Sequence, residues 1–207
     1  MKNNVMIILC AMIAVVCLSS CYHYWPVNCD IPLMEEKGDC RIDAAVTGVG
    51  VNVAATYSPV NHLALQTDVS TLLYIPYHFR QGVGCYTHLG SGVGEVYVGY
   101  SMEMARLSTE YLQLNYGWNG LWNGKMDIGL GVRGSLFDWY CHGESDAEPG
   151  TYYGERFSTQ LIEPQAMIRL GGEHLKFSMN VVYSLWLSDD NPYDWPFNVS
   201  LGVNYRF

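Results

Sequence analysis

Apolar and polar residues alternate with a period of two along most of this chain. At its end, Phe197, Val199, Leu201, Val203, Tyr205 and Phe207 share one face, and Asn198, Ser200, Gly202, Asn204 and Arg206 share the other. From Lys176 to Leu187, Phe177, Met179, Val181, Tyr183, Leu185 and Leu187 oppose Lys176, Ser178, Asn180 and Ser184. Val96, Val98, Tyr100 and Met102 oppose Glu95, Gly99, Ser101 and Glu103, while Ile128, Leu130, Val132 and Leu136 oppose Asp127, Gly129, Gly131, Arg133 and Ser135. A period of two is the signature of strands with unlike faces, and no helical period persists anywhere past the N-terminus. The pattern predicts strands at about 40–48, 50–58, 62–74, 78–89, 93–104, 106–118, 124–140, 155–170, 174–187 and 196–207. If 40–58 is one bent strand or an unpaired lead-in, ten becomes eight.

Large side chains fill one face of each ladder, and small or polar ones fill the other. In a soluble barrel the bulky face would point inward; in a membrane barrel it points at lipid. The connections favour lipid. Read backwards from Phe207 they alternate long and short: "SDDNPYDW", then "GGEH", then "CHGESDAEPGTYYG", then "NGLWNG". Outer-membrane barrels carry long loops outside and short turns in the periplasm, and an even strand number puts both chain ends in the periplasm. Trp118, Trp122, Tyr57 and Tyr205 fall near predicted turns, and Trp139, Tyr140, Trp186 and Trp195 near predicted outer ends, as two aromatic girdles would. The expectation is a closed antiparallel up-and-down transmembrane β-barrel over residues 39–207, with Ser58-Pro59-Val60-Asn61 as a tight periplasmic turn.

The N-terminus bears an export signal. Lys2 precedes an apolar run from Val5 to Leu18, too short for a spanning helix and of the length of a secretory core. Leu18-Ser19-Ser20-Cys21 resembles a bacterial lipobox, which makes 1–20 a signal peptide and Cys21 the acylated first residue. Residues 21–38 show no periodicity and contain prolines, so they read as a lipidated tether.

Composition narrows the partners. The net charge of −9 leaves no basic stripe for phosphates, so nucleic acid is excluded as a partner. The chain has seven cysteines. Beyond the signal and Cys21 remain Cys29, Cys40, Cys85 and Cys141, which allow three complete disulfide pairings and show no metal or redox spacing. A mean hydropathy of +0.03 is far below that of a helical-bundle membrane protein.

Chemistry is sparse. On the face assigned inward, Asp43, Asp68, Glu95, Glu103, Asp127 and Glu163 balance Arg41, Arg133, Arg169, Lys176 and Arg206, as ion-paired packing in a narrow lumen would require. Asp189 and Asp190 with His142 form the one outer-rim set that an enzyme would use, and solvated loop charge explains them more simply. His62, His78, His88 and His174 lack metal-ligand spacing. Gly90 to Gly94 precedes no helix and reads as a turn with kinks, not a phosphate loop. Asn198-Val199-Ser200 lies mid-strand, which discounts it as a glycosylation sequon. Pro164 removes a ladder donor, which predicts a bulge or a fraying pair there.

The stretches "ATYSPVNHLALQTDVS", "YLQLNYGW", "IEPQAMIRLGG" and "FNVSLGVNYRF", with "EEKGD" at Glu35 to Asp39, resemble the small outer-membrane β-barrel lipoproteins of Bacteroides-type bacteria, over roughly residues 35–207. The resemblance implies a cell-outer-membrane, lipid-anchored barrel and transfers no catalytic residue. The expected role is a structural or surface-interaction one, without cofactor, metal or chemistry of its own. Its expected partners are membrane lipid, the barrel-assembly machinery through Phe207, and extracellular ligands of the loops. The rival readings are a barrel enzyme at the extracellular rim, acting on lipid or peptide, and a small porin. The leaflet that receives the lipid is left open.

Overall fold

A computed structural model describes residues 30–47, 50–72, 78–103, 107–144, 152–187 and 196–207. The strands are β1 (Cys40–Thr47), β2 (Gly50–Val60), β3 (Leu63–Leu72), β4 (His78–Leu89), β5 (Gly92–Glu103), β6 (Leu107–Gly120), β7 (Met126–Glu144), β8 (Tyr152–Gly171), β9 (Leu175–Tyr183), β10 (Leu185–Trp186) and β11 (Phe197–Arg206). Each pairs antiparallel with its neighbour, β10 continues β9 along β8, and β1 closes on β11 from Arg41↔Arg206 to Thr47↔Ser200. The wall is a closed barrel of ten strands. Closure satisfies every edge, which is what a sheet surrounded by lipid would need. The first hairpin is a real pair, with Cys40↔Tyr57 through Val46↔Val51, which decides against eight strands.

The alternation places side chains as expected. Val51, Val53, Val83, Val96, Val98, Leu112, Leu114, Leu130, Met179 and Phe197 are exposed on the outer face, while their polar neighbours are buried inside. One rung departs from this. Thr67, Gln81, Tyr100 and Glu110 are cross-strand neighbours in line and all face outward. The rung lies towards the loop-bearing end, with Val69, Phe79 and Met102 one step beyond it. A lipid-facing acid costs least near an interface.

The described turns gather at one end, with the start of β1 and the end of β11. Gly90, Gly120 and Gly124 take positive φ there, as do His62, Trp122 and Asn123. Tyr57, Trp122, Tyr205 and Phe207 are exposed around this mouth; Tyr205 and Phe207 meet edge-on at 4.7 Å, as do Tyr116 and Trp118 at 4.9 Å. At the other end Trp186 departs from the expected girdle. It pairs with the buried Leu161 and so lies on the inner face. The side chains of Trp139 and Tyr140, and all of Trp195, lie outside the described residues.

Three local details differ from the sequence reading. The turn expected at Ser58–Asn61 falls at Asn61–His62, and Pro59 sits in a bulge between Tyr57 and Val60, where its missing N–H breaks no ladder bond. β7 and β8 run further than expected, to Glu144↔Tyr152, so this hairpin projects beyond the wall. The strand expected over 174–187 is interrupted at Ser184, whose N–H donates to the Pro196 carbonyl at 2.7 Å. Across β8 the gap faces Pro164: the ladder holds at Gln165↔Val182, lapses, and resumes at Ile162↔Leu185. Proline offers no donor there, while on its other side Val132↔Pro164 stays in register.

Candidate functional site

The lumen is the candidate site, because every described buried charge points into it. Its lower part, at the turn-bearing mouth, is occupied by the chain itself. The tether expected over 21–38 is described from Asp30 onward; Asp30 to Met34 lie buried inside the barrel, and Glu36 to Gly38 are exposed at the mouth. Ile31, Leu33 and Met34 are fully buried, and they pack with Tyr86, Val93, Tyr97, Tyr111 and Met167 of the wall into one apolar cluster. The segment contributes Ile31, Leu33 and Met34 to this core, and inward positions of the wall contribute the rest.

The wall makes room with glycine. A Cβ at Gly117 would stand 2.9 Å from the Leu33 side chain, and one at Gly129 would stand 2.8 Å from Ile31. The Tyr97 ring fills the space over Gly84, and Tyr111 covers Gly82 and Gly99. Small residues thus receive large ones across the wall, which close packing in a narrow barrel demands.

Polar bonds fix the depth of each plug residue. Asn119 donates to the Leu33 carbonyl at 2.7 Å and to Glu35 at 3.1 Å. The Met34 N–H donates to Glu95 at 2.8 Å, and Asn115 donates to the same carboxylate at 3.0 Å. Deeper still, Gln113 donates to the Asp30 carbonyl at 2.9 Å, and Arg169 pairs with the Asp30 carboxylate at 2.9 Å. At the mouth Arg206 holds Glu35 at 2.6 Å and Asp39 at 2.9 Å, joining the last strand to the segment that enters the barrel. Burial alone would raise the Glu35 carboxyl; the bond and charge of Arg206, with Asn119 and Arg41, outweigh it and hold the group below the usual carboxylate range.

Above and around the plug the inner charges pair across the wall. Lys176 reaches Asp127 at 2.5 Å, with Arg41 3.8 Å from the same carboxylate. Arg80 binds Asp68 at 2.7 Å and lies over the Tyr111 ring. Arg133 donates to Glu163 through two nitrogens, at 2.7 and 2.5 Å, and Ser184 donates to its other oxygen at 3.1 Å. Asp43 lies 3.8 Å from Arg169. Paired, hydrogen-bonded charge is the form in which ions tolerate burial.

The expected balance of inward charge is therefore real, with changes of membership. Asp30, Asp39, Glu35 and Arg80 belong to the network and escaped the sequence reading. Arg80 sits on the polar face of β4 and its alternation could have found it; the three acids lie in a stretch without periodicity. Glu95 answers to amides and a hydroxyl in place of a cation. The side chain of Glu103, Cys21, Asp189, Asp190 and the side chain of His142 all lie outside the described residues, so the outer-rim set is not brought together by anything described. His62 and His174 sit in turns, each with a ring nitrogen 3.0 Å from a backbone carbonyl, of Tyr86 and Arg206. Cys40 and Cys85 are free thiols, so none of the three complete disulfide pairings forms. Among the described residues no group of three metal-ligating side chains converges.

No protein-family model and no curated protein matches this chain. Among solved structures it is similar to the N-terminal β-barrel domain of Pseudomonas aeruginosa OprF, at 12% identity over 84% of this chain and 100% of that one, with a TM-score of 0.38. It is similar to the KdgM porin at 9% identity over 82% and 99%, with a TM-score of 0.45. It is likewise similar to the NanC porin, at 9% identity over 82% and 98%, with a TM-score of 0.49. At such scores the reading rests on the chain's own geometry: an outer-membrane-type β-barrel, apolar outside, ion-paired within and plugged by its own N-terminal segment.

Proposed function

We propose that the protein is an outer-membrane β-barrel lipoprotein, held by lipid on Cys21, with a structural or surface-interaction role and no chemistry of its own. The observation that carries this reading is the filled lumen. Ile31, Leu33 and Met34, fully buried where a pore would run, serve neither a substrate path nor an ion path. The outer face supports membrane insertion, since a soluble barrel would not expose Val51, Val98, Leu112, Leu130 and Phe177 together. The loops between β7 and β8 and before β11 are the parts free to contact something outside the cell, and the small lipoproteins of Bacteroides-type bacteria remain the family the sequence resembles.

The test has two arms. The purified full chain should show heat-modifiable migration and give no steady conductance in planar bilayers; open-channel currents well above background would replace this reading with the porin. Cells fed an alkynyl fatty acid should tag the protein, and Cys21→Ala should abolish the tag. Equal labelling of that variant would remove the lipoprotein part.

A further inference from the structure

We infer that the outer wall holds a site for one amine-bearing phospholipid, with the ammonium at Glu110 and the phosphate at Tyr100 and Gln81. The site lies on the face that the membrane reading above turns towards lipid, and it rests on that reading.

Thr67, Gln81, Tyr100 and Glu110 form one cross-strand rung from β3 to β6, and all four are exposed. Neighbours in such a rung stand about 4.8 Å apart, so the four span roughly 14 Å. Apolar residues border the rung on both sides: Leu65, Val83 and Val98 towards the mouth, Val69, Phe79 and Met102 towards the loops. The rung is therefore a polar inlet in an apolar wall, not the start of its wet rim. A groove of about 910 Å³ follows it, with Leu65, Val83 and Val98 as its apolar side.

Strand tilt sets the order of groups. Thr67 lies in the middle of β3, whereas Glu110 lies near the loop-bearing start of β6. The rung thus climbs from mid-wall towards the outer interface, as cross-strand rows do in a tilted barrel. Followed downwards, it offers a carboxylate, a phenol, an amide and a hydroxyl. An aminophospholipid needs these partners in the same order from its head inwards. The carboxylate accepts from the ammonium, the phenol and amide donate to the phosphate, and the hydroxyl donates to an ester carbonyl. The apolar side of the groove then takes the acyl chain.

Charge decides the occupant. Among the described residues no hydrogen bond or ion pair engages the Glu110 carboxylate, and an ionisable group on a membrane-facing wall calls for a partner. A second copy of this chain, standing the same way up, does not supply one. The described cationic side chains that are not buried, Lys37, Lys125 and Arg206, all sit at the turn-bearing mouth. The copy would instead bring its own acid to the rung. A lipid ammonium reaches Glu110 directly from the outer interface.

Lipid retention by the purified full chain tests the site. The protein is floated with phosphatidylcholine vesicles, then exchanged into detergent with phosphatidylethanolamine, phosphatidylcholine or phosphatidylglycerol, and bound lipid is counted by native mass spectrometry. The parent should keep one phosphatidylethanolamine about tenfold more readily than either other lipid, because methylation removes the N–H donors and glycerol removes the cation. Glu110→Gln should cut that preference to about twofold. Glu173→Gln, in the β8–β9 turn, should leave it intact. Gln81→Leu with Tyr100→Phe should weaken all three lipids together.

Equal retention of the three lipids by the parent overturns the site. So does a preference that survives Glu110→Gln with the heat-modifiable band present. Should Glu110→Gln lose that band, the double variant locates the lipid, and unchanged retention in it overturns the site. A lipid-free mass of two chains that Gln81→Leu splits into one gives the rung to a second copy and overturns the lipid. Failure of the parent to float overturns the membrane reading, and the site with it.

Discussion

The two halves of the lumen are filled by different means. Near the turns, a covalently attached segment brings Ile31, Leu33 and Met34 to a wall of glycine and tyrosine, and its backbone is bonded by Asn119, Glu95 and Gln113. Nearer the loops, side chains of the wall meet one another, as in Arg80–Asp68 and Arg133–Glu163. Inward positions of the wall contribute Tyr86, Val93, Tyr97, Tyr111 and Met167 to that core, and the segment adds Ile31, Leu33 and Met34 from outside the strand pattern.

Breaking the upper half should have the largest thermodynamic effect. Glu163→Gln takes the charge from a carboxylate that accepts twice from Arg133, and cutting a buried pair of this kind costs about 3–5 kcal/mol. Denaturant unfolding in lipid vesicles measures it. Because the plug below is untouched, conductance should stay silent. A variant that conducts while its stability is unchanged would show that the upper pairs, and not the plug, seal the lumen.

Breaking the lower half comes next. Leu33→Ala leaves a cavity against Gly117 and should cost about 2–5 kcal/mol. Its distinguishing sign is electrical: transient openings in planar bilayers that the Glu163 variant lacks. Equal silence in both would remove the contrast between the halves.

The wall itself supplies a reference. Leu112→Arg places a charge on the exposed apolar face and should cost about 2–4 kcal/mol near the bilayer midplane, without changing either filling. A neutral result in vesicles would mean that this face does not meet lipid.

The smallest effect should come from pH at the mouth. Glu35 titrates below its unfolded value, so its contribution is present above the ordinary carboxylate range and is lost as pH falls through the lower, folded value. Acidification should therefore loosen the Arg206 clasp and expose residues 30–38 to protease, and Glu35→Gln should flatten that dependence. An unchanged pH profile in the variant would assign the clasp to Asp39.

The sequence by itself determined the wall. Period-two alternation is a local property, and a one-residue slip would turn Lys176, Ser178 and Asn180 to the outside, so strand identity and the division into two unlike faces were legible from single segments, while which face points outward needed the order of long and short connections along the whole chain. The weak point at Pro164 was legible too, because a missing N–H is a property of one residue. What lies inside was decided only by the closed structure. Residues 30–38 carry no period, and their acids Asp30 and Glu35 resemble those of any solvated tether; Asp30 to Met34 become a plug because ten closed strands enclose them. Gly129 reads in sequence as a small member of an alternating strand, and nothing in the sequence singles out Gly117. Only closure places them opposite Leu33 and Ile31, where any side chain would collide, because that contact joins parts of the chain that no periodicity relates.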